Sequence, residues 1–302
     1  MKFTDFLNGS ERPSEADLQA EGNHRDVKYP LPSRARQLRT VYLAQMKLFM
    51  KGYVPLTLLA MIAVIPVIIY SGALDNLVID STREAIGDTG ETYVAICLGA
   101  MSAMMALIAS MVCGSMLPAE FKHRTAYINF PIPQSRGVFY IGKFLAGFTL
   151  IITAILLAFG ESILMASFAG YPSISTVAVA QALLVSITGG FAFGAIAYGL
   201  SAFMNSGSTM LPFSILFIIV PTLCIVVFNA IGYMGFIGYV PVFSGDLALA
   251  ALGLDKTLSI SVLMSTITMD MSASPVIASL INVLCGVLFL LMGLSKTRRR
   301  EI

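Results

Sequence analysis

The sequence predicts an all-α integral membrane protein with six transmembrane helices. Three observations lead to this fold class: the composition, six long uncharged runs and the distribution of the basic residues. Of the 302 residues, 57% are hydrophobic and only 12% are charged, whereas soluble domains have about 25% charged residues. A soluble chain this apolar would expose large hydrophobic patches.

Each of the six runs is long enough to cross the hydrocarbon core of a bilayer as a helix, which takes about 20 apolar residues. Strands of a membrane barrel would instead alternate polar and apolar residues over about 10 positions. The predicted spans are 53–74, 93–117, 145–170, 177–204, 211–233 and 275–294.

The basic residues predict the orientation of these spans. Of the 19 Lys and Arg residues, all but Arg83 and Lys256 lie before the first span, in the segment 120–143 or after the last span. The positive-inside rule therefore places both termini and the 120–143 segment in the cytoplasm. The predicted organisation is a cytoplasmic N-terminal segment, a six-helix membrane domain and a basic cytoplasmic tail, covering 1–52, 53–294 and 295–302.

An amphipathic helix is predicted just before the first span, in "RARQLRTVYLAQMKLFMK". One face carries apolar residues and the opposite face carries basic ones. This pattern is typical of a helix in the inner membrane interface, with its basic face toward anionic lipid head groups. A cytosolic helix packed on the protein is the alternative. The apolar residues are Leu38, Val41, Tyr42, Leu48 and Phe49, and the basic ones are Arg36, Arg39, Lys47 and Lys51.

Two short apolar segments lie between the fifth and sixth spans, "SGDLALAALGLDK" and "TLSISVLMSTITM". Apolar segments of 10–14 residues are too short to span a bilayer. We therefore expect a pair of short re-entrant or interfacial helices here, the first starting at Ser244.

Small residues recur four apart in the fourth span, at Gly190 and Gly194 and again at Ala195 and Gly199. This spacing lets helix backbones approach closely, either within one chain or between two copies.

No catalytic, cofactor-binding or metal-binding motif is present in the sequence. It contains no GxxxxGK[ST], HExxH or GxSxG pattern, and its four cysteines fall inside apolar runs, which is typical of buried apolar residues. Glu161 is the ionisable residue well inside a predicted span. It is either part of a substrate or proton path, or a structural acid satisfied by Ser162, Ser167 or a neighbouring helix.

The segment "LPAEFKHRTAYINFPIPQSRGVFYIGKFLAG" follows the second span and has an ordered set of polar, proline and glycine residues. The segment resembles the loop after the second helix of ABC-2 type permeases, the membrane subunits of one class of ABC exporters. Arg124 stands where many members carry Gly. The matching residues are Glu120, Thr125, Pro133, Ser135, Arg136, Gly142 and Lys143.

This resemblance implies that a short cytoplasmic coupling helix, from Ala119 to about Phe130, docks on a separate ATPase subunit. It also implies that the N-terminal amphipathic helix is an elbow helix. Aromatic and Arg residues are common energetic centres of interfaces. The implied contact residues are Glu120, Phe121, Lys122, Arg124, Thr125, Tyr127, Pro133 and Arg136.

Further expectations follow from the same resemblance. The chain would not be an enzyme itself, because ATP and Mg would bind the partner ATPase subunit. A second permease copy, identical or paralogous, and membrane lipid would be the other partners, with no nucleic acid. Three alternatives stay open: a basic loop that only anchors at the head groups, an ion-coupled secondary transporter using Glu161, and a membrane-anchored assembly or regulatory subunit.

Overall fold

The fold is a bundle of long helices, seen in a computed structural model of the full chain. Its larger unit, Arg34–Ile302, contains all the elements that follow. The residues that the structure describes are 33–51, 90–122, 136–168, 170, 174–204, 223, 227, 238–253, 257–262, 265–270 and 273–299.

Six α-helices, a 3₁₀ turn and one β-hairpin make up this part of the chain. The helices are α1 Arg34–Lys51, α2 Gly90–Lys122, α3 Arg136–Phe168, α4 Thr176–Ser201, α5 Ser244–Ala251 and α6 Pro275–Arg299. The 3₁₀ turn is Pro241–Phe243, and the strands are β1 Thr257–Val262 and β2 Ser265–Asp270.

Three of these helices, α3, α4 and α6, are long and apolar enough to cross a membrane. They cover most of the third and fourth predicted spans and all of the sixth, and they support a membrane-embedded protein. The second predicted span lies within α2, a continuous helix of 33 residues. The first span, 53–74, and all but two residues of the fifth, 211–233, lie outside the described residues.

Several helix ends extend beyond the predicted spans, whereas α3 ends two residues and α4 three residues before the predicted end. α3 begins at Arg136 instead of 145, and α6 continues through Arg299. A 33-residue helix is about 50 Å long, while the hydrocarbon core is about 30 Å thick. Hydropathy detects only the apolar part of such a helix, so its polar ends were assigned to loops. Basic residues in the last turn of α6 also suit the negative end of the helix dipole.

Among the four long helices, α3 runs antiparallel to α2, α4 and α6, which are parallel to one another, and α4 packs against each of the others. At one end, Arg136 Nη1 at the start of α3 donates to the carbonyl of Arg298 near the end of α6, at 3.3 Å. At the other end, the Ser175 backbone N–H before α4 donates to Glu91 Oε1 at the start of α2, at 2.8 Å. We call the first the basic end, because the described basic residues of these helices lie there: Lys122, Arg136, Lys143, Lys296, Arg298 and Arg299.

α1 packs on the N-terminal half of α3. Tyr42 Oη donates to Thr149 Oγ1 at 3.3 Å, and Phe49 packs against the main hydrophobic core. Leu48, expected on the same apolar face, is instead 66% exposed. It lies at the margin of the packed face, since 100° per residue places it 100° from Phe49. The contact with α3 agrees with a helix packed on the protein, and it leaves the outer face available to lipid.

The glycine spacing of α4 is explained by packing within the chain. A Cβ at Gly190 or Gly194 would come within 3.0 Å of Ile151 on α3. Gly199 lies directly against the backbone of Phe289 on α6. These positions therefore serve close helix contacts inside one bundle.

The segment between the fifth and sixth spans is only partly as predicted. α5 begins at Ser244 and has 8 residues, which confirms the first short helix. The second segment is not a helix but an antiparallel hairpin, in which Leu258 pairs with Met269 and Ser259 with Thr268. Polar and apolar residues alternate along both strands, and this two-residue period with many β-branched residues favours strands.

Candidate functional site

The candidate site is the basic end of the bundle, where α2 leads into the 123–135 segment and α3 leads out of it. The predicted coupling helix was expected to start at Ala119. In the structure α2 continues through Pro118 to Lys122, so Ala119–Lys122 extends the second-span helix and does not begin a separate one. Pro118 is fully buried and lies inside the continuous helix.

A buried ion pair joins the two helices at this end. Lys143 Nζ of α3 binds Glu120 Oε1 of α2, and their side chains are only 6% and 14% exposed. The ammonium group also lies 4.8 Å from the centroid of the Phe139 ring, one turn earlier. The Lys143 charge is therefore removed from water and held by a carboxylate and an aromatic face.

Gly142, the neighbour of Lys143, allows α1 to approach. A Cβ at this position would lie 3.0 Å from Val41 Cγ1 and 3.5 Å from the Leu38 carbonyl oxygen. A larger residue would push α1 away from α3. The Gly-Lys pair thus connects α3 to two other helices, since Gly142 leaves room for α1 to pack closely and Lys143 binds Glu120 of α2.

Tyr140 connects the same turn of α3 to α4 and α6. Tyr198 Oη on α4 donates to the Tyr140 carbonyl at 2.8 Å, and the two rings are 4.6 Å apart. On the other side, the Tyr140 hydroxyl lies where a side chain at Gly293 of α6 would be. Both tyrosines are almost completely buried.

The structure describes only some of the predicted contact residues. Glu120 is partly buried, and Arg136 is partly exposed and bonded to the end of α6. Phe121 and Lys122 form the last residues of α2, and their side chains lie outside the description. The remaining predicted residues, Arg124, Thr125, Tyr127 and Pro133, also lie outside the described residues.

Glu161 lies far from this site, seven residues before the end of α3 at Phe168. Seven residues of helix correspond to about 10 Å, which places Glu161 toward the end of the bundle opposite the basic end. The two serines proposed as its partners each donate their hydroxyl hydrogen to a backbone carbonyl instead, Ser162 Oγ to Ala158 and Ser167 Oγ to Ile163.

Two features were not predicted from the sequence. The first is a buried polar network in which Asn282 Nδ2 of α6 donates to Ser244 Oγ of α5 at 2.9 Å, and Ser244 Oγ donates to the Pro241 carbonyl at 2.7 Å. An Asn in an otherwise apolar span is a signal that could have suggested it. The second is an open pocket of about 70 Å³ between α2, α3, α4 and α5, lined mainly by apolar residues with Ser186 and Ser244.

Neither the family models nor the curated proteins provide a match for this chain. Within the described residues, no group of three or more His, Cys, Asp or Glu side chains could hold a metal ion.

Proposed function

We propose that the chain is the permease subunit of an ABC-2 type transporter that moves a substrate across the cell membrane, in the direction of export. A separate ATPase subunit, with ATP and Mg, drives transport, and a second permease copy completes the membrane domain. The chain itself carries out no hydrolysis. Both termini and the 123–135 segment face the cytoplasm, as the distribution of basic residues favours.

The observation that carries this proposal is the Glu120–Lys143 ion pair. These are the first and last of the residues that match the permease family, and they lie 23 positions apart. Their pairing brings the two ends of the basic segment together at one end of the bundle. A segment held at its base in this way is suited to contact a partner, and its aromatic and Arg residues are suited to an interface.

The test is isolation of the full-length chain at native expression in a mild detergent, followed by identification of the bound subunits. A P-loop ATPase and a second permease chain should co-purify, and the complex should hydrolyse ATP after reconstitution in lipid vesicles. A chain that purifies without an ATPase contradicts the proposal. Accumulation of solute driven by a proton gradient alone would instead support the secondary transporter with Glu161.

A further inference from the structure

The open pocket between α2, α3, α4 and α5 lies beside the first residues of α5. Each of the four helices contributes to its wall, with Leu98, Phe159, Phe193 and Ala248 as examples. We call this cavity the α5 pocket. Its lining is apolar apart from two serines, so it offers few hydrogen-bonding partners to a polar ligand.

Water is a poor occupant of the α5 pocket. A buried water typically makes about three hydrogen bonds to the protein. The Ser244 hydroxyl already accepts from Asn282 Nδ2 and donates to the Pro241 carbonyl. Among the described lining side chains, this leaves the Ser186 hydroxyl to hold a water. An unfilled apolar pocket leaves its lining atoms without contacts on one side, so an apolar ligand is favoured.

The α5 pocket lies at the depth where the acyl chains of a bilayer end. Its α4 residues lie within 186–193, which begins about 15 Å from the start of a helix about 39 Å long. They are therefore in the middle of a helix that is long and apolar enough to cross a membrane. Close by in the sequence, Leu156 of α3 and Leu184 of α4 are exposed, so the helices that form the pocket also face hydrocarbon at this depth.

We propose that the α5 pocket binds the terminal part of an acyl chain of a membrane lipid. Such a chain end is apolar, narrow and abundant at the middle of a bilayer. The volume of about 70 Å³ is roughly half that of an apolar cavity of about 150 Å³ that binds benzene. The pocket therefore admits a few carbon atoms of one chain, while the lipid head group stays at the interface. This inference goes beyond the proposed function and does not rest on it.

The experiment uses the full-length chain in vesicles of phosphatidylcholine that carries a photoreactive diazirine at the end of one acyl chain. After illumination and digestion, the labelled residues are located by mass spectrometry. The native chain should carry label at the buried Phe193 or Ala248, and also at the exposed Leu284 and Leu288 of α6, which serve as the reference. The same lipid with its diazirine beside the head group should leave both pocket residues unlabelled.

A pair of variants on α5 tests whether the label reports occupation of the pocket. Ala248→Leu places a larger side chain in the pocket, and Ala250→Leu adds the same volume to α5 outside the pocket lining. Ala248→Leu should lower the label at Phe193 relative to α6 by about tenfold or more, as expected when two or more methylene groups lose their burial. Ala250→Leu should be labelled like the native chain.

If Ala248→Leu does not fold, Ser186→Leu fills the pocket from α4 and serves in its place. Three results overturn the inference: a native chain labelled on α6 but at neither Phe193 nor Ala248, an undiminished label at Phe193 in a folded variant with a filled pocket, or equal labelling of the pocket by the head-group probe. The test needs no ATPase subunit, so its outcome is independent of the proposed function.

Discussion

The crossing of α4 and α6 gives a prediction whose size follows from the structure. Gly199 lies against α6 so closely that an added Cβ would be 2.8 Å from the carbonyl carbon of Phe289. The obstacle is backbone, which cannot rotate away as a side chain could. Gly199→Ala must therefore separate the two helices, and overpacking of this kind costs about 1–3 kcal/mol.

Gly160→Ala on α3 is the matched control, because a Cβ there meets nothing within 4 Å. Replacing Gly with Ala in a helix has a favourable intrinsic term of about 1 kcal/mol, and this term is common to both variants. The difference between them therefore isolates the packing cost. We expect Gly199→Ala to be about 1–3 kcal/mol less stable than Gly160→Ala.

The assay is reversible unfolding of both purified variants in the same mixed micelles, with the free energy of unfolding compared pairwise. Equal stability would refute the reasoning, since it would mean that α4 and α6 do not cross as closely as described.

Three other substitutions have defined expected outcomes. Asn282→Leu removes the donor to Ser244 and should lower the free energy of unfolding by about 0.6–1.7 kcal/mol, measured in the same micelles. Glu161→Gln should change that free energy by less than about 0.5 kcal/mol and leave ATP hydrolysis by the complex unchanged. Burial raises the pKa of Asp246 from 3.8 to about 6, so its protonated form is favoured in the folded state. The preference of the folded state for the protonated carboxyl therefore adds to the free energy of unfolding below pH 3.8, and this stabilisation is lost as the pH rises to about 6. Asp246→Asn should remove this pH dependence of the free energy of unfolding.

Each of these outcomes has a clear opposite. An Asn282→Leu variant as stable as the native chain would mean that the polar network does not anchor α5. A changed pH profile of transport in Glu161→Gln would favour the ion-coupled alternative. Identical pH dependence of unfolding in the native chain and Asp246→Asn would mean that Asp246 is hydrated in the folded protein.

The long helices could be predicted from sequence because their apolar runs have no other stable arrangement in lipid. The hairpin could not, since Thr257–Val262 was interpreted by its length and apolar content alone. Its alternation of Thr, Ser, Leu, Ile and Val residues was the informative signal. Periodicity separates strands from helices more reliably than hydropathy in segments this short.

The candidate site shows a second limit of prediction from the sequence, which concerns contacts between helices. Glu120 and Lys143 were both recognised as motif residues, but their pairing depends on the rotation of α2 and α3 about their axes. Hydropathy does not determine that rotation, and α3 was expected to begin at 145, beyond Lys143. The contact between Gly142 and α1 depends in the same way on tertiary packing. These contacts therefore required the structure.

The central claim is that the 119–136 region binds an ATPase subunit. Truncating an aromatic anchor at the centre of an interface costs about 2 kcal/mol or more, which weakens binding by about 30-fold. The direct measurement is the amount of ATPase subunit retained by the double variant Phe121→Ala with Tyr127→Ala. Phe203→Ala is the control, an exposed aromatic residue just after α4.

The native chain and Phe203→Ala should retain the ATPase subunit in equal amounts during purification and dilution. The double variant should insert normally, because its changes lie outside every predicted span, but it should lose the subunit at concentrations where the native complex is intact. A double variant that binds the ATPase as tightly as the native chain, with ATP hydrolysis unchanged, would contradict the account.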